Sequence, residues 1–365
     1  MSSEMNRNRD TAAYANRPAW HGIGVTLDGA PTSGLMIEAA RLGWDVVPAP
    51  LHAETVPLVP LGVDAIEAAL QSPTDGPIGG EPHTPELVKV GTHKALRRND
   101  TGALLGVVGD GYEIVQNREV FDLLDSLESA VGGPVRYESA FTMQGGKGVC
   151  VVARLPGSDT IAPGDDVHRY CLAYFRHDGG GSVELAISMV RPVCMNTIQM
   201  ALAEASANSE RFRVRHTTNA KRNLERAVSV IRDGLSLYDG SVAKAREMAA
   251  RPMTREDLFD FITRVYPVAE GASAAVKTRT SKVQKDAVKR YAQSPTNNLD
   301  SMRGTLWAAV NAVTEQVDHG PVARLRGDDK RDRAEQAFRR RMLGGSGAQL
   351  KADAWRVASE MIGAA

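Results

Sequence analysis

Between Arg169 and Val190 two β-prone runs flank three consecutive glycines, a pattern that leaves few folds open to the surrounding chain. The second run alternates, with Val183, Leu185, Ile187 and Met189 on one side and Glu184, Ala186, Ser188 and Val190 on the other. Period two is the signature of a half-buried strand. The first run, Arg169 to Arg176, is aromatic and suits the partner strand. Gly179, Gly180 and Gly181 supply the positive φ values that hairpin turns need. A phosphate-binding loop would have to lead into a helix. Here a strand follows, so the nucleotide readings fall and a hairpin is expected.

The same reasoning extends outward. Val135–Met143 and Gly148–Arg154 read as a second hairpin closed by Gln144-Gly145-Gly146-Lys147. If the four strands form an antiparallel meander, the two glycine-rich turns lie at one end of the sheet, with Lys147 near Arg176 and His177. Earlier, residues 1–20 read as a mobile arm, and Thr32–Leu42 as a short helix stopped by Gly43 with a strand through Trp44–Pro48. Residues 71–85 read as a Pro/Gly loop. Leu87–Arg98 and Ala103–Val108 pair across Asn99-Asp100-Thr101-Gly102, and Arg118–Ser129 is helical, with Val120, Leu123, Leu124 and Leu127 on one face. Beyond Arg191 the character changes. Met195–Ala205 reads as helix, Arg211–His216 as a short basic strand, and the remainder as helices, one opened by the capping box Thr254-x-x-Asp257. The expected fold is α+β, with antiparallel hairpins and helices in the N-terminal part and a mostly helical C-terminal part. The expected divisions are an arm (1–20), a core (21–216) and a helical region (217–365).

Composition removes several classes. With 42% hydrophobic and 24% charged residues, the 365-residue chain has enough apolar side chains for a sizeable core. No apolar run approaches the ~20 residues of a membrane span, and the polar start lacks the apolar segment of a secretory signal. Cys150, Cys171 and Cys194 have no CxxC spacing, so they read as buried thiols in a reducing cytoplasm. The net charge of zero hides a split. Residues 205–345 carry 27 lysines and arginines against 17 acids, leaving 17 against 27 elsewhere. Such a split fits a basic face for a polyanion, two mutually attracting parts, or solvated helix faces.

Several segments resemble the phage/plasmid-like family built on a domain of unknown function (number 932). They are Trp20-His21-Gly22, Gly111-Tyr112-Glu113-Ile114-Val115-Gln116-Asn117, Arg191-Pro192-Val193-Cys194-Met195-Asn196-Thr197 and Arg215-His216-Thr217-x-Asn219. Trp307-x-x-x-Asn311-Ala312-Val313-Thr314-Glu315-x-x-Asp318-His319 and Gly345-x-Gly347-Ala348-x-Leu350-Lys351 continue the match. The resemblance implies a phage or prophage origin and supplies no activity. The element order is also similar, at the level of fold, to phage single-strand annealing recombinases, which form oligomers and hold single-stranded DNA in a cationic groove.

Three groups of cations are candidates for such a groove. Arg191 lies before Pro192 and an expected helix start at Asn196 or Thr197, where free N–H groups and a guanidinium would make an anion site. Arg211, Arg213 and Arg215 share one side of a strand, followed by His216, Lys221 and Arg222. Lys147 and Arg176 sit at the hairpin tips. Lys277–Arg290 reads as a basic helix, more a solvated face than a reader of nucleic acid. Aromatic content of 5% gives few stacking platforms, so binding would be electrostatic and sequence-tolerant. For chemistry the chain offers little. His177-Asp178 resembles the paired residues of some metal phosphohydrolases, but the histidines form no HxH or HExxH spacing, and no GxSxG appears. No catalytic residue, metal or cofactor is assigned. The leading expectation is a non-enzymatic, homo-oligomeric single-stranded DNA-binding protein that promotes annealing, with no membrane partner. A metal-dependent nuclease and a self-assembling accessory protein are the alternatives.

Overall fold

The computed structural model describes residues 11–16, 24–55, 86–191, 196–198, 212–319 and 346–363. The strands of the first part are β1 (Ala12–Ala15), β2 (Val25–Leu27), β3 (Val46–Thr55), β4 (Glu86–Arg98) and β5 (Leu104–Gly109). They are followed by β6 (Arg136–Met143), β7 (Gly148–Ala162), β8 (Asp165–Arg176), β9 (Val183–Arg191), β10 (Asn196–Ile198) and β11 (Phe212–Val214). Among the strands lie helices α1 (Ser33–Ala39), α2 (Asn117–Ser126) and α3 (Glu128–Val131). After them come α4 (Ala220–Ala250), α5 (Arg255–Val265), α6 (Ala274–Gln293), α7 (Leu306–His319) and α8 (Ser346–Gly363). The class is α+β, with strands in the first half and helices in the second, as the periodicities require.

The meander is the centre of the molecule. Strands β6, β7, β8 and β9 pair antiparallel in sequence within an eight-stranded sheet ordered β10-β9-β8-β7-β6-β1-β2, and β11 also pairs with β9. Val183, Leu185, Ile187 and Met189 are all buried, as their alternation demands. Burying such side chains contributes about 1.5–3 kcal/mol each. That outweighs the extra backbone entropy of three turn glycines, about 0.5–1 kcal/mol apiece. Helix α4 lies against β7, β9 and β11, and its Tyr238, Val242 and Ala245 join one hydrophobic cluster that runs from Ala13 to Met361. Helices and sheet therefore share a core.

A smaller sheet, β3-β4-β5, stands at the glycine-rich end of the meander. Its turn uses Gly102 at φ 70°. The two sheets approach so closely that glycine is needed at the contact. A Cβ on Gly106 would lie 2.5 Å from the Asp178 carbonyl oxygen, and one on Gly179 2.8 Å from Val108. Gly179, at φ +81°, thus serves both the hairpin turn and the sheet-to-sheet contact.

The helical part is wired to the sheet through α7. The Trp307 indole donates to the buried Asp165 carboxylate at the β7–β8 turn (2.7 Å), and its ring meets Trp355 edge-on. Glu315 accepts from Arg290 (2.7 Å), joining α7 to α6. Asp318 pairs with Lys351 of α8, both nearly fully buried. The Trp307–His319 motif thus reads as a set of structural ties. The Thr254–Asp257 capping box is formed as expected, with each residue bonding the other's backbone N–H.

Four expectations are corrected. Residues 12–15, expected within a mobile arm, form β1, which pairs antiparallel with β6 and parallel with β2. Alanine signals strand poorly, yet Ala12, Ala13 and Ala15 are buried because small side chains fit there. Helix α1 ends at Ala39 and turns through Arg41 at φ 53°, not at Gly43, because Leu42 and Trp44 must swing into the core. Strands β7 and β8 extend well beyond Arg154 and before Arg169 to a turn at Gly164; irregular pairing near Ser158 and Ala162 hides their alternation. Asn196–Ile198, expected at a helix start, pair as strand β10 with Met189–Arg191. Residues 71–85 lie outside the described residues.

Two stability measurements check this wiring. Gly106→Ala should cost about 1–3 kcal/mol in urea unfolding, as overpacking does, whereas Gly109→Ala, with nothing within 4 Å, should cost far less. Lys351→Met should cost roughly 3–5 kcal/mol by removing the buried cation that faces Asp318, and adding Asp318→Leu should restore part of it.

Candidate nucleic-acid interface

The hairpin tips meet as the meander requires, but they point inward. The His177 amide donates to the Lys147 carbonyl (2.8 Å), so the two turns touch. Arg176 and His177 are buried. Arg176 forms an ion pair with Asp178, donates to the Tyr174 hydroxyl (3.2 Å) and reaches Gln144 (3.4 Å). The Arg-His-Asp run therefore carries its own counterion, since a buried guanidinium without one is strongly unfavourable.

His177 is the centre of a polar knot. Asn117 uses its amide N–H groups on the Leu42 and Trp44 carbonyls, so its Oδ1 accepts from His177 Nε2 at 2.9 Å. Trp44 and Phe175 meet the imidazole edge-on at 5.3 and 5.4 Å. Arg98 stacks on Trp44 at 4.3 Å and pairs with Asp100 (2.7 Å). Gln116 pins the start of β3, bonding both the N–H and the carbonyl of Val46. Tyr112 stacks on His216 at 4.5 Å, and His216 bonds the Glu113 carbonyl through Nδ1 (3.0 Å). The Gly111–Asn117 and Arg215–Asn219 motifs thus converge with the Arg176–Gly181 turn at one junction. Burial drives the His177 pKa down to about 3, with His216 and Arg98 adding to the fall and Asp178 opposing it. Burial also lowers that of His216, against its bond to Glu113.

The remaining predicted cations among the described residues are spread along the sheet and the start of α4. Arg213 faces Glu184 in register and pairs with it (3.4 Å), at the same end of the sheet as Arg176. Arg191 is seven residues further along β9, about 23 Å away at the rise of a strand. Its partner in register is Asn196, so the helix N-terminus expected to bind an anion there is replaced by strand pairing. Arg215 and Arg222 are exposed, and Arg222 bonds Asn219 (2.9 Å). Lys147 is half-buried. Lys221 lies in the first turn of α4, and Arg211 falls outside the described residues.

Helix α6 supplies what the strands do not. Ala287 is buried, Val283 and Tyr291 pack on the core, and Gln284 donates to the Tyr266 carbonyl (3.0 Å). At 100° per residue, Lys282, Lys285 and Lys289 fall on the opposite face and Arg279 on its flank, and all four are exposed. None has an ion-pair partner among the described residues, because the helix's one acid, Asp286, is held by Arg290. The row spans about 15 Å. Cations three or four apart destabilise a helix by roughly 0.2–0.5 kcal/mol per pair. That is a small penalty beside the burial of Val283, Ala287 and Tyr291. The helix holds its charges out to solvent uncompensated.

Among the described residues no three His, Cys, Asp or Glu side chains are grouped as a metal site would need. His177 and Asp178 are committed to Asn117 and Arg176. A family model described as "Domain of unknown function (DUF932)" matches residues 104–338, which span the meander, the knot's motifs and α6. No curated protein and no solved structure matches the chain.

The knot predicts acid lability. His177 and His216 are held neutral in the fold but bind protons near pH 6.5 when unfolded. Stability from this source is therefore complete above pH 6.5 and is lost as the pH falls towards the folded values, by up to about 1.4 kcal/mol per pH unit per histidine. Urea unfolding at pH 7 and pH 5 should show the drop, and His177→Gln should reduce it.

Proposed function

The chain belongs to the DUF932 family, and we propose that it binds single-stranded DNA by its phosphate backbone, without catalysis, as an oligomeric phage-type annealing protein in a bacterial cytoplasm. The observation that carries this reading is the row Lys282, Lys285 and Lys289 on the outer face of α6 with Arg279 at its flank, all exposed and without ion-pair partners among the described residues. A surface that serves only solubility intersperses both signs; a one-sign row suits a polyanion. Arg215 and Arg222, exposed at the β11–α4 junction, are further cations for the same role. A flexible single strand can lie along a straight row of charges. A duplex, stiff over roughly 150 base pairs, meets such a row with only part of one backbone.

The test is fluorescence anisotropy with single- and double-stranded oligonucleotides, titrated with salt and repeated with magnesium or manganese. Four phosphate contacts give a log–log salt slope of about −3 for a single strand. Lys282→Glu with Lys285→Glu should halve that slope or abolish binding, while the melting temperature stays near that of the unaltered chain. Absence of binding at low salt overturns the proposal, and metal-dependent cleavage replaces it with a nuclease.

A further inference from the structure

The three-stranded part of the small sheet has an inner and an outer face of opposite character. Val46, Leu96, Leu105 and Val108 point into the core and are buried. On the outer face two rows cross all three strands. Val47 is opposite Arg97, which is opposite Leu104; Ala49 is opposite Ala95, which is opposite Val107. Leu104 is 61% exposed and Val107 46%. Leu87 and Val88 are also exposed, but at the far end of β4, where it pairs with Ala53 and Glu54 of β3. Val47, Leu104, Ala49, Ala95 and Val107 thus form one continuous apolar strip, unlike the singly scattered apolar residues of any surface. Residues 46–50, 93–98 and 104–109 contain no aspartate or glutamate. Arg98 turns inward to Asp100 and Lys94 reaches the Asp110 carbonyl, which leaves Arg97 as the outward guanidinium, without an ion-pair partner among the described residues.

We propose that this face docks a short acidic segment of a partner protein, with apolar side chains on the Leu104–Val107 rows and a carboxylate on Arg97. Its shape and chemistry select that occupant. The two rows cover an area of roughly 15 by 10 Å at the strand spacings, far below the ~800 Å² per partner of a stable dimer. That suits a peptide rather than a second copy. Apart from Arg97 the two rows are aliphatic, so a nucleic acid would find one cation and no ring within them. Pro48 and Pro50 remove amide donors from β3, so the segment does not extend the sheet at that edge and lies across the face. A carboxylate matches Arg97 bidentately.

The test uses the full chain and a fluorescein-labelled synthetic peptide of leucine, valine and glutamate, with its lysine-for-glutamate counterpart as control. The acidic peptide should bind and the basic one should not. Arg97→Glu should weaken binding by roughly tenfold or more, as loss of a charged partner at an interface does, and Leu104→Ser should weaken it severalfold. Both positions are exposed, so thermal melting should be unchanged in each variant. The α6 double variant, Lys282→Glu with Lys285→Glu, should leave peptide binding intact, while Arg97→Glu should leave oligonucleotide binding intact. That crossing keeps this site separate from the DNA-binding reading. Equal affinity for both peptides, or undiminished binding to Arg97→Glu, overturns the proposal. So does a concentration-dependent mass in light scattering that Leu104→Ser abolishes, because a second copy would then cover the face.

Discussion

The hydrogen bond from His177 to Asn117 is the point on which the arrangement turns. It joins the tip of the β8–β9 hairpin to the first residue of α2, and Asn117 in turn holds the Leu42 and Trp44 carbonyls before β3. Three segments distant in sequence meet through one amide and one imidazole. Because Asn117 and His177 are both buried, each of these bonds is stronger than it would be in water, and each unmade one would be costly. The neutral imidazole is a condition of the fold rather than a detail of it.

That junction also explains why the hairpin tips are not the mobile cationic fingers their composition suggests. Glycines at Gly106 and Gly179 let the two sheets come within van der Waals contact, and contact excludes water. Once water is excluded, Arg176 must have a counterion, and Asp178 two residues on is placed to be it. Charge that reads as a polyanion site in one dimension becomes internal structure in three. The reverse holds for α6. Its cations belong to a helix whose opposite face is needed for packing, so they can only point outward.

The motif Gly111–Asn117 divides its work among Tyr112, Gln116 and Asn117, each making a structural contact. The Trp307–His319 motif does the same for the helical part through Trp307, Glu315 and Asp318. Both are networks of buried polar groups. A reader of sequence sees such residues as candidates for chemistry, because polar side chains in apolar surroundings are shared by active sites and by structural ties. Only the partners distinguish the two.

What the sequence determined by itself was local: the alternation of Val183–Met189, the hairpin turns, the capping box at Thr254 and the apolar stripes of the helices. These depend on neighbours within a few residues, and periodicity records them directly. The order of the four central strands followed as well, since short turns permit only antiparallel neighbours. Tertiary structure alone decided the rest. The pairing of Ala12–Ala15 with β6, the strand at Asn196–Ile198 and the burial of Arg176 and His177 all depend on segments far away in the chain. Whether a cation faces solvent or an acid is a property of the packed surface. Periodicity carries the first kind of information and is silent on the second, because burial and ion pairing are set by which elements meet.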